Sequence, residues 1–319
     1  MCTRLVLTCC VVLVGLLVVN GARADAPAPP WAKLSAKQVA AAKTLGVPVA
    51  IENSLGMRFV LIPAGTFMMG SRDSSAEVAR RCAMPNAQAG WFHDEHPRHE
   101  VRLTTAFYMS IHEVTQACYD SLTPRNRDER NRRPADEIPE SLLGPDRPVV
   151  KVSWEEAKKF CESLGRLEGE QGRHYTLPTE AQWEYAARGN TKTPFAFGET
   201  VSTDQANYHG GYIYAQGQRG PYREKSLPVG SLAANAWGLF DMHGNVAEWC
   251  TDRYGHYSRD IVTDPMGPDE GNERVVRGGS WRSYPGACRS ALRLKGGPTS
   301  KTDTTGFRVC LAIPIVQAP

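Results

Sequence analysis

The sequence predicts a loop-rich α+β domain with a sizeable core, and not a helical bundle. Three observations carry that expectation. The chain has 319 residues, 41% of them apolar, enough for one large domain or two. Its 29 Gly and 22 Pro punctuate the chain too often for long helices. Its apolar periodicity is modest and switches between short alternating runs and short capped helical stretches.

The elements follow in order. Residues 25–34 (DAPAPPWAKL) read as a Pro/Ala linker. Ser35 with Gln38 makes a capping box for a short helix that ends before Gly46-Val47-Pro48. Phe59, Leu61 and Phe67 then fall on one alternation, with a Pro-Ala-Gly turn between two candidate strands. In HEVRLTTAFYM, Val101 and Leu103 face one way. Thr115 can cap a short helix carrying Cys118, Tyr119 and Leu122, and residues 123–147 read as a charged, solvated loop. Ser153 with Glu156 is a second capping box, whose helix puts Ala157, Phe160, Cys161 and Leu164 on one face. Thr179 with Gln182 is a third, opening a helix with Trp183, Ala186 and Ala187. From Thr191 onward the chain is rich in Gly, Pro and aromatic residues, with short strands at best.

The first residues bear on the compartment. Arg4 precedes an apolar run of 15 residues, 5–19; Asn20-Gly21 break it, and Ala22-Arg23-Ala24 offers a small-x-small cleavage site. Residues 1–24 thus have the layout of a secretory signal peptide. The run falls short of the ~18 residues of a membrane span, so an uncleaved anchor is the weaker reading. Cys9 and Cys10 lie inside the run, which disfavours a lipid anchor. The expectation is an exported protein in a periplasm, the extracellular space or a secretory-pathway lumen, with no membrane span after cleavage. Losing Arg4 and Arg23 lowers the net charge from +3 to +1, leaving no basic surplus for nucleic acid or anionic lipid.

Six cysteines lie beyond residue 24: Cys82, Cys118, Cys161, Cys250, Cys288 and Cys310. An even count in an exported chain favours disulfides, but not a particular connectivity. No CxxC or Cys/His cluster with zinc spacing occurs in the chain. The stretch His93, Asp94, Glu95, His96 with His99 has the composition of a metal cluster, yet sequence clustering does not set ligand geometry, and a structural role outweighs it. Asp241 and Glu248 bracket a Gly244-Asn245 turn, and carboxylates with carbonyls about a tight turn suit calcium. Caps and arginine pairing are the plainer alternative.

A string of segments then carries a resemblance over about 260 residues. It begins with ENSLGMRFVLIPAGTFMMGS, DEHPRHEVRLTTAFYM, HEVTQACY and RPVVKVSWEEAKKFCESLG. It continues through YTLPTEAQWEYAARGN, AFGE, ANYHG and PVGSLAANAWGLFDMHGNVAEWCTD, and ends with RVVRGGSWRS, CRSALR and GFRV. LPTEAQWEYAARG, GLFDMHGNVAEW and RGGSW are together highly specific. The chain resembles the formylglycine-generating enzyme (sulfatase-modifying factor) family. That implies a loop-rich variant of the C-type-lectin-like fold, here over residues 51–315, with 25–50 as linker and short helix.

The resemblance implies a calcium site at Asp241, Gly244, Val246 and Glu248. It implies a second starting at Asn207 and Tyr208, whose remaining ligands fall at Pro221 and Arg223; an arginine side chain cannot ligate calcium. In the HDEH stretch the family has an acidic-x-Pro-x-His turn without a catalytic role. The family's enzymes oxidise a substrate cysteine to formylglycine with oxygen and a copper(I) ion held by two thiolates, because soft thiolates select copper(I). That pair stands at the second and seventh positions beyond the aromatic residue after GGS. With Trp281 as that residue, the positions are Ser283 and Cys288, so a serine replaces one thiol. Counted back from Gly306-Phe307-Arg308, Arg293 matches a family arginine and Cys288 falls outside the pair. Relatives with EWC and CRSA suggest a Cys250–Cys288 disulfide. A helix-to-terminal-strand disulfide of the family suggests Cys161–Cys310, although here Val309 intervenes after GFR. Cys82 and Cys118 are left without an assigned partner.

Three functions are therefore expected in competition. The first is an exported, calcium-stabilised binding or accessory module with a polypeptide or glycan ligand, lacking the complete catalytic pair. The second is a copper-dependent oxidase acting on a sulfatase polypeptide, with Cys288 and the substrate thiol as copper ligands. The third is an enzyme of another class on the same scaffold, using His243 or the His93–His99 cluster.

Overall fold

The first capping box does two jobs. Ser35 Oγ accepts from the Gln38 N–H while Gln38 Oε1 accepts from the Ser35 N–H, starting helix α1 (Ala36–Leu45), which Gly46 ends in a left-handed conformation. The amide nitrogen of the same glutamine donates to the Leu61 and Trp237 carbonyls at 3.0 and 3.1 Å. The helix read as lying outside the domain is docked onto it, and Trp31 and Leu34 of the expected linker also pack against the core. This architecture is that of a computed structural model, which describes residues 27–82, 86–123, 138–169 and 173–313. The signal-peptide expectation and the middle of the charged loop lie outside the described residues.

A five-stranded antiparallel sheet forms the centre. It comprises β1 (Ala50–Glu52), β2 (Arg58–Ile62), β5 (Phe107–Ser110), β6 (Tyr175–Thr176) and β12 (Cys310–Ala312), in the order β1-β2-β5-β12-β6. Both of its faces are covered. Phe59, Leu61, Tyr108, Val309 and Leu311 pack against Ala157, Phe160, Cys161 and Leu164 of α4 (Trp154–Leu167). Val60, Ile62, Met109 and Cys310 pack with Ala181, Trp183, Ala186 and Ala187 of α5 (Glu180–Arg188). Burying each such aliphatic or aromatic side chain stabilises by about 1.5–3 kcal/mol. Both helices begin at their capping boxes, Ser153/Glu156 and Thr179/Gln182.

Two smaller sheets surround this centre. In the first, β3 (Gly65–Met69) pairs antiparallel with β4 (His99–Leu103), which pairs parallel with β8 (Val262–Thr263). In the second, β7 (Ala247–Arg253), β9 (Arg274–Arg277), β10 (Leu294–Gly296) and β11 (Thr305–Gly306) run in the order β10-β9-β7-β11. Helices α2 (Ser75–Arg81) and α3 (Gln116–Leu122) start at Ser74 and Thr115 caps. The strands on either side of Pro63-Ala64 form, but they enter different sheets and make no hairpin.

The expected disulfides are not formed: all six cysteines beyond residue 24 are free thiols. For Cys161 and Cys310 the reason is register. Val309 fills the sheet face that looks at α4, and Cys310, one residue on, packs on the α5 face. Cys250 belongs to the α5-side core, whereas Cys288 packs with Cys82, Phe195, Tyr208 and Tyr214 in a separate cluster.

Candidate functional site

The LFDMHGNVAEW segment builds a carboxylate nest around Arg308, where β5 ends and the chain enters β12. Asp241, Gly244 and Asn245 all take positive φ, and a Cβ on Gly244 would stand 2.3 Å from the Asn207 carbonyl oxygen, so only glycine fits. Asn245 pins the turn. Its N–H donates to Asn207 O at 2.7 Å, its Oδ1 accepts from Leu227 N and Asn207 Nδ2, and its Nδ2 donates to Glu113. Asp241 Oδ2 accepts from Gly230 N at 2.7 Å. Glu248 receives a two-pronged bond from Arg308, 2.7 Å on each oxygen, and a third from Trp183 Nε1 at 2.7 Å.

Three carboxylates, Glu113, Asp241 and Glu248, thus surround one buried guanidinium. Burial holds the Glu113 carboxyl well above its usual range, and Asp241 and Glu248 push it further. Burial likewise pushes Asp241 up to about 6, against the Gly230 N–H and Arg308. This shortage of positive charge among hard oxygens fits a calcium ion. Among the described residues no three His, Cys, Asp or Glu side chains converge in metal-holding geometry. An ion here would therefore draw on the Gly244 and Val246 carbonyls as well as Asp241 and Glu248. Glu113 was missed from sequence; it sits in the HEVT motif, but no spacing ties it to residues 241–248.

The second calcium position fits poorly. Asn207 Oδ1 is buried without a partner, as a cation ligand would be. Yet Arg223 brings a guanidinium to the same loop, bonding Thr203 O at 3.0 Å with a second buried nitrogen unpartnered. Tyr208 is wholly buried, its hydroxyl bonded to Val201 O. A positive charge that offers no oxygen stands where a further carboxylate is needed.

At the expected thiol pair the structure shows a tight turn. Ser283 N donates to Ser280 O, and Ser283 Oγ accepts from Ser280 N, both at 2.9 Å. Cys288 ends a short 3-10 turn, Pro285–Cys288, and is fully buried; burial pushes its thiol up to about 12, so it stays protonated. Partly exposed rings flank Ser283. His209 stacks on Tyr222 at 3.7 Å and lies edge-on to Tyr212 at 4.7 Å, and Tyr212 meets Tyr284 at 4.3 Å.

The candidate histidines are held by separate local contacts, except His96, whose Nε2 is buried without a partner. His243 Nδ1 contacts the Cys288 carbonyl at 2.9 Å, and its Nε2 accepts from Ala196 N at 3.0 Å, so both ring nitrogens are committed. Burial first, with Arg188 adding to it, lowers its pKa to about 4. The HDEH stretch scatters. Glu95 pairs with Arg289, Asp94 takes the Tyr254 hydroxyl, His93 meets Ser75 Oγ and His99 contacts Pro97 O.

The charges of the LPTEAQWEYAAR and CRSALR motifs also pair internally. Glu180 holds Arg277 and Arg293, and Glu184 holds Arg188 and Arg277, all with ion-pair distances of 2.7 Å. Beside this network opens a pocket of about 470 Å³, lined by His99, Asp252, Tyr257, His256, Met266 and Arg293 among others.

A central sheet flanked by two helices that start at capping boxes, with two smaller sheets around it, is the frame of a sulfatase-modifying-factor-type domain. The sequence model of the sulfatase-modifying factor enzyme 1-like domain matches residues 47–313, and the chain belongs to that family. It is 32% identical over 268 residues to the serine/threonine-protein kinase pkn1 of Chlamydia caviae, covering 78% of this chain and 37% of that protein. It is 33% identical over 186 residues to the formylglycine-generating enzyme of Streptomyces coelicolor, covering 56% of each. The chain thus spans about a third to a half of these curated relatives. Among solved structures, PvdO from Pseudomonas aeruginosa superposes with a TM-score of 0.64 at 28% identity, covering 83% of this chain and 98% of PvdO. Treponema denticola variable protein 1 shares the fold at a TM-score of 0.64 and 24% identity, covering 84% of this chain and 100% of its own.

Proposed function

We propose that this protein is an exported, calcium-stabilised binding or accessory module that does not oxidise cysteine to formylglycine. The observation that carries the reading is the state of the two thiol positions. Ser283 offers a hydroxyl already used to close a turn, and Cys288 a buried, protonated thiol. Copper(I) chemistry needs exposed thiolates, and neither position supplies one. Calcium would be held by Asp241, Glu248 and the Gly244 and Val246 carbonyls. When bound it neutralises the buried carboxylates and fixes the 241–248 turn.

The ring cluster of His209, Tyr212, Tyr222 and Tyr284 supports a polypeptide or glycan ligand, since aromatic faces suit sugar rings and apolar side chains. Copper-dependent oxidation of a sulfatase polypeptide is the competing reading, drawn from the enzymes that the chain resembles. Incubating the full chain with copper, oxygen and a Cys-x-Pro-x-Arg peptide separates the two. The module reading expects no aldehyde and no labelling of Cys288 in the native protein; aldehyde at enzymatic turnover overturns it.

A further inference from the structure

A small cavity of about 20 Å³ lies between residues 71–73, just ahead of α2, and the segments 188–194 and 289–291. Arg188, Arg289 and Tyr214 line it and are buried; Lys192 is exposed, and Arg72 is half-exposed. Ser71, Asp73, Thr193, Pro194 and Ala291 complete the lining.

The carboxylates in reach are already committed. Asp73 and Glu199 are both shared between Arg72 and Arg81. Glu95 pairs with Arg289, and Glu184 serves Arg188 and Arg277. No hydrogen bond or ion pair joins Lys192 or the nearby Arg98 to any described residue. The cations Arg72, Arg81, Arg98, Arg188, Arg289 and Lys192 therefore outnumber Asp73, Glu199, Glu95 and Glu184. Arg98 lies in the same field: burial lowers its pKa, and Arg188 and Arg72 lower it further, against Glu184.

The second observation is independent of charge. Tyr214 is 1% exposed, and its hydroxyl is buried with no partner. Burial pushes that hydroxyl up to about 12, so it is a neutral O–H donor in want of an acceptor. A buried donor left without an acceptor forfeits the hydrogen bond that water gives it in the unfolded chain.

We propose that this cavity is a binding site for a small monovalent anion of halide size, accepting a hydrogen bond from Tyr214 and held by the field of Arg188, Arg289, Arg72 and Lys192. The small inner volume holds about one or two water-sized species, which suits a halide. Water fills such a space as easily, but it does not answer the excess of positive charge. Tyr214 and Arg289 back the 285–288 turn: Arg289 Nε donates to Gly286 O at 2.9 Å, and a Cβ on Gly286 would lie 3.6 Å from the Tyr214 ring. An anion here braces the turn that carries Cys288.

The test uses the full chain in sodium bromide against sodium gluconate at equal ionic strength. The expected result is a saturable rise of the melting temperature in bromide and an anomalous bromide peak in the cavity of a crystal. Lys192→Gln, an exposed change, should raise the half-saturating bromide concentration severalfold. Tyr214→Phe should abolish the response. Equal melting temperatures in the two salts, an ordered water without bromide at the cavity, or a bromide response unchanged in Tyr214→Phe would each overturn the proposal.

Discussion

The Ser283 hydroxyl accepts a 2.9 Å hydrogen bond from the Ser280 N–H, closing the turn at the point where an oxidase of this family would carry a thiol. Sulfur is a weaker and longer acceptor than oxygen, so the residue is matched to the turn. Ser283→Cys should lower stability by about 1 kcal/mol, the typical worth of a neutral hydrogen bond, as read from the denaturant midpoint. It should leave peptide oxidation undetectable, because Cys288 remains buried and protonated. Copper-dependent aldehyde formation by this variant would show that only the missing thiol withholds the activity.

The contrast between Ser283 and Cys310 shows what the sequence could convey. A serine for a cysteine is legible at once, since it changes the chemistry. Cys310 needed the register of β12: one inserted residue, Val309, turns the thiol to the other face of the sheet. The helices were legible because Ser35, Ser153 and Thr179 each cap locally. The pairing of β2 was not: Phe59 and Leu61 alternate, but Val60 and Ile62 between them are buried too, and such a pattern does not say which neighbour the strand takes. Glu113 stayed hidden because it lies more than a hundred residues from the carboxylates it meets.

Chelation is the direct test of the carboxylate nest. EDTA should lower the melting temperature of the wild-type protein, and added calcium should restore it. At a free concentration of about 100 times the Kd, the ion contributes about 2.7 kcal/mol. Asp241→Ala should remove the calcium response while remaining folded. An unchanged melting curve with and without calcium, in protein shown to be metal-free by mass spectrometry, would refute the site.

Among the described residues Arg308 is the lone guanidinium bonded to the nest carboxylates, and it also bonds the Ser110 and Phe240 carbonyls at 3.1 and 2.9 Å. Arg308→Met leaves Glu248 buried without its charge partner. The expected loss is about 3–5 kcal/mol, far above that of an exposed pair such as Arg58–Glu52. Arg58→Met should change the urea midpoint little; equal effects from the two variants would mean that the buried pair carries no special weight.

Asp252 gives stability a pH dependence of known sign. Burial pushes its carboxyl up to about 8, and Glu180 adds to the shift. The unfolded group titrates near 3.9. A raised folded pKa contributes stability that is fully present below the unfolded value and is lost as pH rises through the folded one. Asp252→Asn keeps an acceptor for the Glu180 N–H, which lies at 2.8 Å from the carboxylate, and removes the titration. The variant should therefore gain on the wild type between pH 5 and pH 9 in paired thermal melts. Parallel stability profiles would place the Asp252 pKa near its ordinary value.

Gln38 tests where the domain begins. The family match starts at residue 47, yet Gln38 of α1 is wholly buried and satisfies the Leu61 and Trp237 carbonyls. Gln38→Leu keeps the side-chain volume and leaves two buried acceptors unpaired, each costing about 1–3 kcal/mol. The loss should exceed 2 kcal/mol by urea titration. Val39→Ser, on the exposed side of the same helix, should stay within about 0.5 kcal/mol of wild type. A chain beginning at residue 47 should then lose at least as much as Gln38→Leu, since it also gives up the packing of Trp31 and Leu34. If the shortened chain matches the wild type in urea, α1 is an appendage and the boundary falls where the family match places it.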